Sequence, residues 1–347
     1  MELAVLLSLA ASLCTATASV CQRLGARQLS KRPLGHQDRS GHPGERNPHA
    51  FDAWLVFRLA RQPAWLLGFC CMLGGFAFQV SALHFGPLAL VQPILVTELL
   101  FVFGFLALRA GWHRVGGSEA VGSGAVGSGT GGGAAWYGAG WRGWAAVVAM
   151  PAGVSVFLRA AAPSGGREHA PALSWWLAGL VTLAVVAAGV AVAGAPGWRR
   201  SPARRAAALG TAAGIGWGFV AAVIKELSAH LAGGPAALFS TWSPYALAVT
   251  GAAAMLLASH AMTAGPLAAS QPGFTIGDPV TAILLGVFLF GERLEASAAA
   301  LTAEVLGLTV LAAGVWALSG SRLITEADAP RPAEAGQPGQ PGHPSAT

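Results

Sequence analysis

One stretch limits the possible folds more than any other: the apolar run 265–294, GPLAASQPGFTIGDPVTAILLGVFLFGERL. It is long enough to cross a bilayer, yet it carries Pro266, Pro272, Pro279, several glycines and one carboxylate, Asp278. A helix interrupted this often survives in hydrocarbon only where its freed backbone groups face protein or a watered cavity. Its opening is also repeated. GPLAASQP at 265–272 matches GPLALVQP at 86–93 in six of eight residues, at an offset of 179. A pair of proline-interrupted membrane segments in corresponding positions of two halves is the best sequence pointer to a transporter's solute site.

The rest of the chain fits this frame. It is 54% hydrophobic and only 10% charged, with a mean hydropathy of +0.56, against about 25% charged residues in soluble domains. This composition excludes a soluble enzyme or nucleic-acid binder, because the basic residues sit in loops and act as a topology signal. Nine apolar runs predict nine spans: 2–20, 63–83, 86–108, 143–158, 173–193, 206–227, 243–261, 265–290 and 297–318, each near the ~20 residues a span needs. The expected fold is therefore an all-α polytopic bundle. A first half with a linking fifth helix occupies 1–194, a basic hinge 195–205, a second half 206–323, and a disordered tail 324–347. A polar loop at 23–51, a short amphipathic piece at 52–61 and a Gly/Ser-rich loop at 115–140 interrupt the first half.

Placing the N-terminus outside puts eight, three, four and two Lys/Arg in successive cytoplasmic segments. Only Arg159, Arg167, Lys225 and Arg293 then face outward. The positive-inside bias thus predicts a multi-pass protein of the cell membrane with a cytoplasmic C-terminus. It also runs spans 3 and 8 in opposite directions, as an inverted repeat requires. The four cysteines, Cys14, Cys21, Cys70 and Cys71, lie inside apolar runs and read as packing residues. No nucleophile elbow, zinc-protease, CxxC or P-loop pattern occurs, so no enzyme and no cofactor is expected.

Within this frame the second half, GIGWGFVAAVIKEL (214–227) followed by the 265–294 run, resembles the drug/metabolite transporter superfamily with its EamA-type repeat. Gly291-Glu292-Arg293-Leu294 is similar to the Gly-Glu signature that ends the penultimate helix of that repeat. The nine-span plan, and the segment 61–93, resemble the NIPA-type magnesium transporters more than the ten-span exporters. Where those proteins tend to carry an acidic residue in the second helix, this chain has Gly74-Gly75-Phe76. The first-half repeat lacks the Gly-Glu ending. The resemblance implies a secondary transporter of a small metabolite, drug or cation, with a magnesium transporter as the alternative and a non-transporting scaffold as a third reading.

Candidate residues follow from both arguments. Glu98 and Asp278 lie twelve and thirteen residues into their repeats, near mid-helix. A carboxylate at that depth costs about 2.5–3.5 kcal/mol on insertion scales, so it is expected to face a cavity and to bind a cation or exchange a proton. Gln92 and Gln271 occupy matching positions and can both donate and accept; packed amides can equally tie helices together. Pro93, Pro272 and Pro279 are expected breaks or pivots. Lys225 ends span 6, where a lysine either snorkels to the interface or, by the resemblance, binds solute. His84 and His260 precede the two repeat copies and are read as interfacial or proton-relaying. The expected partners are the lipid bilayer and a small-molecule or cation substrate, with no nucleic acid, and a homo-oligomer remains open.

Overall fold

The computed structural model describes residues 1–30, 62–115 and 140–319. Among these residues ten main helices carry the fold: α1 (Glu2–Ser30), α2 (Pro63–Phe85), α3 (Leu88–Leu95), α4 (Glu98–Val115), α5 (Gly140–Ala161), α6 (Ala172–Gly194), α7 (Pro202–Ser228), α8 (Ser243–Ala264), α9 (Leu267–Phe290) and α10 (Ala298–Ser319). Short helices at Pro196–Arg199 and Gly234–Phe239 sit between them. Proline opens many of these helices, as Pro63, Pro196 and Pro202 in first turns and Pro87, Pro171 and Pro266 just before them. Its fixed φ suits a helix start, where its missing N–H has no partner to lose.

Among the described residues, eight segments are long and apolar enough to cross a membrane, with α3 and α4 forming one of them. The span expected at 143–158 falls within α5, whose apolar part, Ala145–Ala161, is shorter. Leu173, Leu180, Val249 and Val305 are 65–70% exposed. Side chains of this kind, facing outward along whole helices, need lipid rather than water. Length, composition and exposure together give a multi-pass helical membrane protein.

Helix α7 is the hub, packing against α2, α6, α8 and α9. Its contact with α9 is the most intimate. Gly210, Gly214 and Gly218 recur every four residues, so they form one stripe along α7. A methyl group added at Gly214 would meet the carbonyls of Phe274 and Gly273, and one at Gly218 would lie 2.6 Å from Thr281 Cβ. The two backbones therefore touch directly, as small-residue stripes allow in membranes. A second such contact joins α5 to α10, where Gly153 and Gly307 lie against each other's helix backbone.

Three expectations are corrected. Helix α1 runs on to Ser30, ten residues past the expected span end at 20 and into the loop expected at 23–51. Gln, Arg, Leu and Ala there are good helix formers, and hydropathy marks the membrane edge, not the helix end. The run 265–294 is not the broken copy: α9 is continuous through Pro272 and Pro279. Each proline removes one hydrogen bond, and packing on α7 holds the helix across both. The break falls in the first-half copy, at Val96–Thr97 between α3 and α4. Finally, the hinge at 195–205 already contains the start of α7. The rest of the loop at 23–51, the piece at 52–61, most of the loop at 115–140 and the tail at 324–347 lie outside the described residues.

The stripe makes a simple forecast. Gly214→Val should cost about 1–3 kcal/mol through overpacking and lower the thermal unfolding midpoint in detergent. Gly74→Val, which meets nothing within 4 Å, should leave the midpoint unchanged. Equal midpoints would remove the close α7–α9 contact.

Candidate functional site

The α3–α4 break builds the site. At the end of α3 the Ile94 carbonyl accepts from the Thr97 amide at 3.0 Å and the Thr97 hydroxyl at 2.7 Å. The Ser12 hydroxyl of α1 approaches the same oxygen at 3.4 Å. The freed backbone is thus satisfied within the protein, as hydrocarbon demands. The chain then restarts with Glu98 as the first residue of α4. A carboxylate is favoured there, because the first amides of a helix carry partial positive charge. The Ser19 hydroxyl donates to Glu98 Oε1 at 3.3 Å, and Thr15 lies beside it.

A cavity of about 520 Å³ opens beside this break. Its walls come from α1, α2, α3, α4, α7, α8 and α9, and it contains Gln92, Glu98, Gln271 and Asp278 together. Four of the five expected solute-contacting residues therefore share one chamber. The remaining wall is largely apolar and aromatic, including Phe76, Leu95, Leu99, Trp217 and Phe274. Four lining residues carry buried polar atoms with no protein partner: Gln92 Nε2, Trp217 Nε1, Thr275 Oγ1 and Asp278 Oδ1. Such atoms are rare in native proteins and cost about 1–3 kcal/mol each if nothing meets them. All four belong to residues that line the one chamber.

Lys225 does something else. It is buried, 8% exposed, and its ammonium lies 3.0 Å from Glu292 Oε1 and 3.1 Å from the Gly86 carbonyl. The Phe290 ring lies 5.3 Å from the same ammonium, near enough for a cation–π contact. Glu292 in turn accepts from the amides of Leu88 at 2.5 Å and Ala89 at 2.9 Å. Pro87 offers α3 no side-chain cap, so a carboxylate from the far end of the chain caps it instead. Both the snorkelling and the solute-binding readings of Lys225 need a free ammonium, and here Glu292 and the Gly86 carbonyl hold it.

The Gly-Glu sequence after α9 now has a physical role. Gly291 is left-handed (φ 63°), and its amide and that of Glu292 return to the Val287 and Gly286 carbonyls at 3.1 Å. Glycine takes that backbone at no steric cost. The turn sends Glu292 back into the bundle instead of outward.

The same end of the bundle holds further contacts between the halves. Ser164 and Arg293 exchange backbone hydrogen bonds at 3.0 and 2.9 Å. The His84 ring donates to the Ser228 carbonyl at 3.1 Å. Glu226 accepts from His169 at 2.9 Å and from the Ala170 amide at 3.2 Å. His84 is thus a structural tie, and His260 is exposed on α8. Pro93 lies buried in α3, just before the break, whereas Pro272 and Pro279 lie within continuous α9.

Sequence reasoning overlooked Gln79, Trp217 and Thr275 in the chamber wall. The signal was there: single polar side chains within apolar runs, Thr275 only three residues from Asp278. It also passed over Glu304 in α10, buried and with one unpartnered oxygen, which lines neither this chamber nor the Lys225 end.

The capping pair gives a second forecast. Removing one member of a buried ion pair costs about 3–5 kcal/mol. Glu292→Gln should destabilise more than Lys225→Met, since it weakens the α3 cap as well as stranding the ammonium. Joined in one chain, the two changes should cost less than their sum. Additive losses in a double-mutant cycle of unfolding midpoints would contradict the pairing.

No protein-family model matches the chain, and no solved structure matches it. The chain is similar to an uncharacterized protein of Corynebacterium glutamicum. The two are 27% identical over 240 residues, which cover 67% of this chain and 71% of the relative. That likeness names no activity, so the function rests on the chamber itself.

Proposed function

We propose that this protein is a secondary transporter of the drug/metabolite superfamily, EamA-like in its repeat, moving a small solute by alternating access. The observation that carries the reading is the chamber. Gln92 and Gln271 come from matching positions of the two repeat copies, and one carboxyl comes from each, all lining about 520 Å³. Binding sites at the interface of two repeats, formed beside a broken helix, are the recurring plan of such carriers.

The packing supports two inverted halves. The first long helix of each half lies against the second, α1 on α2 and α7 on α8. Helix α5 lies against α10, the matching helix of the other half. Counting α5 as a span gives nine, with the N-terminus outside the cell membrane and the C-terminus in the cytoplasm. Gly86, Ser164, Ser228 and Glu292 come together at one end of the bundle, as an alternating path of spans requires. In this reading the protein is a carrier and not an enzyme, with the solute and the bilayer as its partners. The magnesium alternative has weaker support, because two carboxyls in a mainly apolar wall are a poor substitute for the oxygen shell that Mg²⁺ prefers.

Purified full-length protein in liposomes loaded with a pH dye, challenged with metabolites, cationic dyes and divalent cations under an imposed gradient, tests the reading. Solute or proton flux should appear. It should fall by about tenfold or more in Asp278→Asn and Glu98→Gln, since intramembrane carboxyls of this kind mark transport paths. Absence of any flux would favour a scaffold, and flux unchanged in both variants would remove Glu98 and Asp278 from the path.

A further inference from the structure

Resting on that transporter reading, the chamber's chemistry narrows the solute. We infer that it takes an organic solute bearing one positive charge together with a separate hydrogen-bond acceptor, and that it rejects anions. The first ground is charge. Among the described residues lining the chamber, Glu98 and Asp278 are the ionisable side chains, and no Lys, Arg or His joins them. Lys225, on a neighbouring turn of the same α7 that lines the wall, is held by Glu292 and Gly86. A phosphate or carboxylate would therefore enter a low-dielectric space beside two carboxyls with no cation to meet it, which is prohibitive.

The second ground is that the two carboxyls differ. Glu98 already receives the Ser19 hydroxyl and stands at the first turn of α4, so much of its charge is answered by the protein. Asp278 has an oxygen with no partner. One carboxyl in want of a partner calls for one positive charge, not two.

The third ground is the set of unpartnered donors. The Trp217 indole N–H and the Gln92 amide NH₂ can only donate, and the Thr275 hydroxyl can donate. These atoms are buried in the wall and meet a guest only when their side chains rotate toward it; an acceptor such as a carbonyl or ether oxygen then satisfies them, whereas a simple hydrocarbon cation leaves them bare. Thr275 and Asp278 are three apart on α9 and so share a face, with Cβ atoms about 5–6 Å apart, which sets the acceptor and the charge about the width of a ring apart on one guest. Phe76, Phe274 and Leu99 supply the apolar wall for the body between them. The volume suits a compact organic molecule, since ligand pockets run from about 300 to 1,000 Å³.

Four matched probes separate these grounds: 4-(aminomethyl)benzamide, with charge and acceptor; 4-methylbenzylamine, with charge alone; 4-methylbenzamide, with acceptor alone; and 4-carbamoylbenzoate, an anion with the acceptor. Binding to the full-length protein in detergent is read by calorimetry, and flux of the same compounds is read in liposomes. The first probe should bind about tenfold or more tighter than either single-function probe, the scale of one charge-assisted hydrogen bond. The anion should not bind. Asp278→Asn should erase the advantage of the amine while leaving 4-methylbenzamide within about threefold. Trp217→Phe or Thr275→Val should erase the advantage of the acceptor and keep that of the amine. Gel-filtration profiles matching the native protein establish that each variant is folded. Equal binding of all four, preference for the anion, or no binding of any probe to folded protein overturns the inference. The expected binding order without flux upholds the site chemistry and removes the transport reading instead.

Discussion

A helix that begins inside a membrane protein must find partners for its first amides, and α3 finds them in Glu292. Everything near the chamber depends on that carboxylate. It fixes where α3 starts, and so where Gln92 and the Val96–Thr97 break fall, and from there where Glu98 restarts the helix. Alone it would be a buried charge at several kcal/mol of desolvation cost. Lys225 offsets that cost, and Gly86 offers the lysine a second partner. Because Glu292 and Lys225 belong to one half and α3 to the other, the arrangement is also a clasp between halves.

The close α7–α9 contact is the other half of the design. With glycines on α7 against the backbone of α9, these two helices form one stiff unit. Trp217, Gln271, Thr275 and Asp278 ride on it. The opposite wall is different in kind: α3 and α4 are separated by a break, and Glu98 sits at that break. A continuous, closely packed wall carrying one carboxyl faces an interrupted wall carrying the other. Both copies contain a proline in the same place, yet the first-half copy is interrupted three residues beyond Pro93, at Val96–Thr97, while α9 runs on through Pro272.

Much of this was legible in the sequence. The repeated GPLA–QP segments, the mid-helix depth of Glu98 and Asp278, and the matching glutamines pointed to one chamber, because hydropathy and spacing report depth directly. Which copy breaks was not legible, since a proline's effect depends on the helix beside it, and the glycine stripe Gly210, Gly214, Gly218 was passed over. Lys225 was misread because its position near a helix end resembles that of a snorkelling residue, and its partner lies 67 residues away. Glu292 was read only as part of a family-like ending. Its role depends on the left-handed turn at Gly291, which sequence marks with a glycine but does not aim.

The proposed alternating access requires the two halves to separate at the clasped end to admit or release solute. Ser164 and Arg293 form a hydrogen-bonded antiparallel pair across that end, a geometry with Cα atoms ~5.5 Å apart that a disulfide can bridge. In a background with Cys14, Cys21, Cys70 and Cys71 replaced, Ser164→Cys and Arg293→Cys should cross-link on oxidation. The account predicts that the oxidised protein loses flux in liposomes and regains it with a reductant. Full flux through the cross-linked protein would contradict it.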